Sequence, residues 1–307
     1  MGIFLPVTGT DVGEALDLST LPSLGAGNGY RLFALGGDDT ITGRTQANEP
    51  DIINAGAGND LVNANAGNDT VSGGAGKDTL NGQAGNDSIS GGTENDVING
   101  GTENDILRGD AGDDSVNGDG GDDNVGGGDG NDLVTGGAGK DVVNGDAGND
   151  TVDGGSGNDA VNGGAGNDQV IGGGGQDILN GGSGNDALLG GGGRDVFVFD
   201  TAGNATSAPE HDTIFDFQMT FNSQQDLIDL RAFNIGVAQL QIDQPVIGAF
   251  AQSTRTIKVD TDKDGNFNDN LIITVSAQNL AGVADSLDVV DWPFSFLPTG
   301  GDPEILI

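Results

Sequence analysis

The sequence predicts an all-β chain: a parallel β-solenoid of 18 residues per coil, followed by a β-rich C-terminal capping region. Three observations carry this. A nine-residue unit repeats without insertion or deletion from Ala55 to Val198. Within it one position is apolar in every copy and another is Asp in every copy. Of the 59 glycines in the 307 residues, 43 fall inside this block, so glycine belongs to the repeat rather than to linkers.

Composition alone would mislead. Acids outnumber bases 48 to 10, the formal charge is −38, and only 34% of residues are hydrophobic. Such a balance is usually that of a disordered chain. It also excludes classes of partner, because nucleic-acid phosphates and anionic membrane surfaces repel so acidic a protein. The absence of Cys and the single His, His211, exclude a disulfide framework, a thiol nucleophile and a Cys/His zinc site. No apolar run approaches the ~20 residues of a membrane span, so membrane insertion is not expected.

The unit is well represented by GGAGKDTLN at 73–81. Its first six residues, rich in Gly, Asn and Asp, suit the positive-φ conformations of a tight turn. The last three suit a short strand whose middle residue points inward. A turn and a strand reverse the chain, so two units should close one coil. The ninth position supports that length: Asn63, Asn81, Asn99 and Asn117 recur every 18 residues, alternating with Ser72, Ser90, Arg108 and Gly126. Asn144, Asn162 and Asn180 form a second series, and stacked Asn side chains make hydrogen-bonded ladders. Two degenerate units precede the block, around Asp39 with Ile41 and Asp51 with Ile53, and between them the step slips from nine to twelve.

The invariant Asp falls at Asp60, Asp69, Asp78, Asp87, Asp96, Asp105, Asp114, Asp123, Asp132, Asp141, Asp150, Asp159, Asp168, Asp177, Asp186 and Asp195, with Asp51 ahead of them. On an 18-residue coil these form two columns with neighbours about 4.8 Å apart. At that distance unit charges repel by roughly 1 kcal/mol in water and ~3 kcal/mol at an effective dielectric of 20. A solvated acidic face explains neither the unbroken period nor why this position is never Glu. A hard cation held by carboxylates and turn carbonyls explains both, and with no soft ligand in the block calcium is the natural ion. One apolar side chain per nine ordered residues is a thin core, so metal binding becomes folding energy. The chain is expected to be largely disordered without Ca2+ and β-rich with it.

The pattern GGxGxDxUx, as in GGSGNDAVN at 154–162 and GGAGNDQVI at 163–171, resembles the repeats-in-toxin (RTX), or haemolysin-type, calcium-binding family. The resemblance implies a parallel β-roll with one Ca2+ between turns n and n+2. Each ion would be bridged by aspartates such as Asp60 with Asp78 and Asp69 with Asp87, about 14 ions in all. Two adjacent units depart from the pattern, carrying Glu94 and Glu103 in place of the fourth Gly. Their turns are either strained or furnished with an extra carboxylate.

The domain reading is an N-terminal cap at 1–33, the roll at 34–198 and a β-rich cap at 199–307. Strands are expected at Thr213–Phe217, Leu227–Leu230, Ile257–Asp260 and Leu271–Val275. The stretches at 211–233 and 259–275 resemble the segment after the roll in serralysin-type exoproteins. Asp260, Asp262 and Asp264 followed by Gly265 spell the first half of a calcium loop, but Leu271 stands where an EF-hand needs Glu. A calcium-bound turn using Asp269 or a carbonyl and a plain Asp/Gly turn remain equal readings. The N-terminus lacks the basic region of a secretory signal peptide. The ending Glu304-Ile305-Leu306-Ile307 looks like the uncleaved signal of type I export, the other reading being a frayed tail.

No HExxH can exist with one His, and no GxSxG is present. Residues 1–33 are too few for a catalytic core. His211, beside acidic residues, reads as a strand or turn residue. The expectation is therefore a secreted, non-enzymatic calcium-binding protein. It would be a surface-layer, matrix or adhesion component, located outside the cell, with calcium and the type I secretion machinery as partners. Two alternatives stand beside it: a hydrolase with its active site in 199–307, and an ice-binding calcium solenoid. The latter predicts regular outward Thr rows, and Thr40, Thr70, Thr79 and Thr151 are scattered.

Overall fold

The computed structural model describes residues 4–47, 49–199, 211–216, 227–229, 240–242, 252–259, 271–278 and 304–306. The chain divides into two compact units, residues 1–150 and 151–307. Each is a parallel β-solenoid. Among the described residues the helical content is one 3-10 turn, Leu18–Thr20, whose Ser19 N–H is capped by Asp17. No helix there is long and apolar enough to cross a membrane.

In the first unit successive strands alternate between two sheets. One sheet takes Phe4–Thr8, Gly29–Phe33, Ile52–Ala57, Thr70–Ala75, Ser88–Thr93, Ile106–Ala111, Asn124–Asp129 and Val142–Ala147. The other takes Ala15–Asp17, Thr40–Thr42, Leu61–Asn63, Thr79–Ala84, Val97–Thr102, Ser115–Gly120 and Leu133–Ala138. Thr70 pairs with Ser88 and Val71 with Ile89, and the bonds between equivalent residues span 18 positions. This is the coil length that the Asn series predicts. The first coils are larger: Glu14 N–H reaches Asp39 across 25 residues, and Asp39 N–H reaches Asp60 across 21. Residues 4–33 thus supply the opening strands of both sheets.

The strands are six residues long where the sequence suggests three. In Thr79–Ala84, Leu80 and Gly82 both face inward. Only Gly85, Asn86 and Asp87 remain for the turn to the next strand at Ser88. Position-one glycines are therefore strand residues, against the sequence reading of them as turn residues. The positive-φ role belongs to positions two and four, as at Gly74 and Gly76, with φ of 111° and 124°. The core is the row of eighth-position side chains, each 2% exposed or less: Val71, Leu80, Ile89, Ile98, Leu107, Val116, Val125, Val134 and Val143 in this unit.

The second unit repeats the plan with Ala160–Ala165, Ile178–Ser183, Val196–Val198 and Leu227–Asp229 in one sheet, and Thr151–Ser156, Gln169–Gly175, Ala187–Gly193 and His211–Ile214 in the other. Beyond Val198 the nine-residue period ends but the stacking does not. Ile214, Ile228 and Ile273 are fully buried and continue the inward rows. Leu271–Gln278 pairs in parallel with His211–Ile214 and antiparallel with Gln252–Val259, which in turn pairs with Leu240–Ile242. All four expected strand regions carry strands, and Glu304–Leu306 pairs in parallel with Leu227–Asp229. Asp260, Asp262 and Asp264 lie outside the described residues, as does Asp269; their segment joins the paired ends Val259 and Leu271.

Candidate metal centres

The invariant aspartates line up as the period requires. In the first unit, from Asp60 to Asp132, the N–H of each donates to Oδ1 of the Asp one coil further on. Asp60 donates to Asp78 at 2.8 Å, Asp69 to Asp87 at 2.7 Å, Asp87 to Asp105 at 2.7 Å and Asp105 to Asp123 at 2.7 Å. The second unit does the same, from Asp159 to Asp177 at 2.9 Å and from Asp177 to Asp195 at 3.0 Å. All sixteen side chains from Asp60 to Asp195 are buried.

One oxygen of each carboxylate is thus satisfied. The other is not: Oδ2 of Asp39, Asp60, Asp69, Asp78, Asp87, Asp96, Asp105, Asp114, Asp123, Asp132 and Asp177 is buried without a hydrogen-bond donor. A row of orphaned anionic oxygens is costly unless a counter-charge is present. Position one shows where one fits. A Cβ on Gly82 would lie 2.3 Å from Asp87 Oδ2 and 2.6 Å from the carbonyl oxygen of Gly100. The orphaned oxygen and a carbonyl of the next coil therefore face the same small gap. Among the described residues no three acidic or imidazole side chains converge on a point, so backbone carbonyls or water would complete any coordination. An all-oxygen set of carboxylate and carbonyl fits a hard cation such as Ca2+.

Burial sets the electrostatics. Loss of hydration pushes Asp69 up to about 8, Asp96 and Asp105 to about 7, and Asp60, Asp87, Asp123, Asp132 and Asp177 to about 6. The backbone N–H from the preceding coil opposes the rise in each case. Glu94 adds repulsion at Asp78, and Glu103 adds it at Asp87. The two glutamates hold left-handed φ of 75° and 73°. Glu103 also accepts from Gly85 N–H at 2.9 Å and Thr102 Oγ1 at 2.7 Å, which ties two coils together.

Some residues fall outside the sequence reading. Asp39 is buried in the same way and was legible as a degenerate unit. Asp212 accepts from Asp186 N–H at 3.0 Å and extends a column across a 26-residue step; His-Asp-Thr-Ile matches positions five to eight of the repeat. Asp216 accepts from Gly190 and Gly191 N–H with its two oxygens, at 2.8 and 2.6 Å. Asp51 differs from its followers because both its oxygens already accept protein donors. The Asn ladder holds from Asn63 through Asn81 to Asn99, at 3.1 and 2.9 Å, but Asn117 turns to Asp119. A second Asn ladder, at position five, likewise donates back one coil, opposite in direction to the aspartates: Asn86 N–H donates to Asn68 Oδ1 and Asn104 N–H to Asn86 Oδ1, both at 3.1 Å. His211 is exposed and continues this ladder through its N–H, which donates to Asn185 Oδ1 at 2.8 Å.

Comparison with known proteins bears on the same residues. A family model described as the RTX calcium-binding nonapeptide repeat, in four copies, matches residues 47–80, 72–107, 90–125, 99–134, 126–161 and 162–197. No curated protein matches the chain. Among solved structures, the AlgE6R3 subunit of the Azotobacter vinelandii mannuronan C5-epimerase is 22% identical, covering 56% of this chain and 91% of that one, with a TM-score of 0.30.

Proposed function

Residues 47–197 belong to the RTX calcium-binding nonapeptide-repeat family, and from that premise we propose that this protein is a secreted, non-enzymatic β-roll that folds when it meets extracellular calcium. The single observation that supports the ion positions is the row of buried Oδ2 atoms lacking donors, those from Asp78 to Asp132 lying beside a glycine carbonyl of the next coil. Asp60 through Asp195 are the proposed ligands, with Gly carbonyls completing the coordination. Calcium supplies the counter-charge, while the chain's own N–H groups orient the carboxylates. At one ion per pair of turns the roll takes about 14 ions, which brings the whole chain near a charge of about −10. Sites of the extracellular type, with Kd of ~10⁻⁴–10⁻³ M, leave the roll empty at cytosolic calcium and filled outside.

Export in the unfolded state, as through a type I pathway, accords with that switch. Residues 1–33 and 199–307 serve as end caps, the latter akin to the post-roll segment of serralysin-type exoproteins. The end role is structural, at a surface layer, matrix or adhesion site. Circular dichroism of the metal-free chain titrated with calcium, with elemental analysis of the loaded protein, tests the reading. A β spectrum should develop with calcium and about 14 ions should be retained. A spectrum unchanged by calcium would sink it.

A further inference from the structure

We infer that Arg44 stands in for a metal ion at the head of one aspartate column, so the first coils carry a built-in cation and hold without calcium. Asp51 opens the column that runs through Asp69, Asp87, Asp105 and Asp123. Further along, Oδ2 of Asp69, Asp87, Asp105 and Asp123 lacks a donor. At Asp51 the vacancy is filled from within. Arg44 Nε donates to Oδ1 and Arg44 N–H to Oδ2, both at 2.9 Å, and Tyr30 N–H donates to Oδ1 at 3.3 Å.

The guanidinium also pairs with Glu49 and donates to the carbonyls of Asn28 and Pro50, each at 3.2 Å. Two carboxylates and two carbonyls around one positive centre form the oxygen set that a hard cation would take. Arg44 is fully buried, and its guanidinium lies 5.0 Å from the centroid of the Tyr30 ring. Arg44 and Glu49 fall in the stretch between Asp39 and Asp51, where the repeat slips from nine to twelve residues. Unlike a bound ion, an arginine neither dissociates nor loses its charge. Asp51 N–H in turn donates to Asp69 Oδ1 at 2.7 Å, so Arg44 positions the first open carboxylate at one remove.

This rests on calcium filling the rest of the column, and the test separates the two ideas. Hydrogen exchange of the full-length chain is followed by mass spectrometry, metal-free and calcium-loaded, comparing residues 28–54 with 82–150. In the metal-free wild type 28–54 should stay protected while 82–150 exchanges. In Arg44→Met that protection should be lost without calcium and restored by it, with one more ion retained on elemental analysis. Arg44→Lys, which keeps the charge, should exchange more slowly over 28–54 than Arg44→Met in the absence of metal. Three results overturn the role of Arg44: a wild type unprotected at 28–54 without calcium, a Met variant still protected there, or a Met variant that calcium does not restore. A wild type that retains no calcium overturns the underlying reading instead.

Discussion

Gly82 leaves little room for a side chain. An added Cβ would meet Asp87 Oδ2 at 2.3 Å, whereas at Gly126 it would find Asp146 Oδ2 at 3.4 Å. Gly82→Ala should therefore destabilise the calcium-loaded protein by about 1–3 kcal/mol. Gly126→Ala should change it by less than about 0.5 kcal/mol. Thermal unfolding of both variants at saturating calcium makes the comparison. The invariant Asp and the inward apolar residue were legible because nothing interrupts them. The reason for Gly82 was not, since a sequence does not show that this glycine lies beneath a carboxylate from its own turn.

The same carboxylates make the metal-free chain sensitive to pH. Their folded values are raised above the ~4 of an unfolded Asp, so protonation favours the fold. That contribution is complete below about pH 4 and is lost as pH rises through about 6 for Asp60 and about 8 for Asp69. Lowering the pH of metal-free protein from about 8 to about 4 should increase its β signal in circular dichroism. The calcium-loaded protein should show no such gain, because the ion already balances the charge.

At the level of the element, each coil contacts its neighbours through an 18-residue register, so coils are interchangeable parts. Deleting residues 82–99, one whole coil, should leave a folded chain that retains about two fewer ions. Deleting 82–100 should be more destabilising, because it joins Asn81 to Gly101 and slips that one strand by a residue, turning its remaining side chains to the other face. Calcium uptake and circular dichroism of the two deletions decide this. Coil length was readable from Asn63, Asn81 and Asn99. Strand length was not, since Gly82 and its counterparts read as turn residues. The coil ahead of Asp39 escaped detection because a 25-residue step breaks the period, whereas the 21-residue step from Asp39 to Asp60 was legible as the slip around Asp51. Asp212 escaped because a 26-residue step precedes it.

For the whole molecule, a charge of −38 stops signifying disorder once its acids are seen to be stacked. It becomes a capacity for cations, and under the proposed function folding should depend on the calcium around it.

The two ladders of opposite direction give the roll a mechanical character. Asp69 N–H bonds forward to Asp87, while Asn86 N–H bonds back to Asn68. Boundaries where position five carries Asn or Asp are thus latched from both sides, while Lys77 and Lys140, having no side-chain acceptor, leave only the forward bond to the coil beyond them. Under tension the chain should hold and then yield one coil at a time, each release adding about 60 Å of length. In an optical trap these steps should be even at high calcium and vanish with chelator. Such a roll should stiffen with calcium and lengthen as calcium is withdrawn.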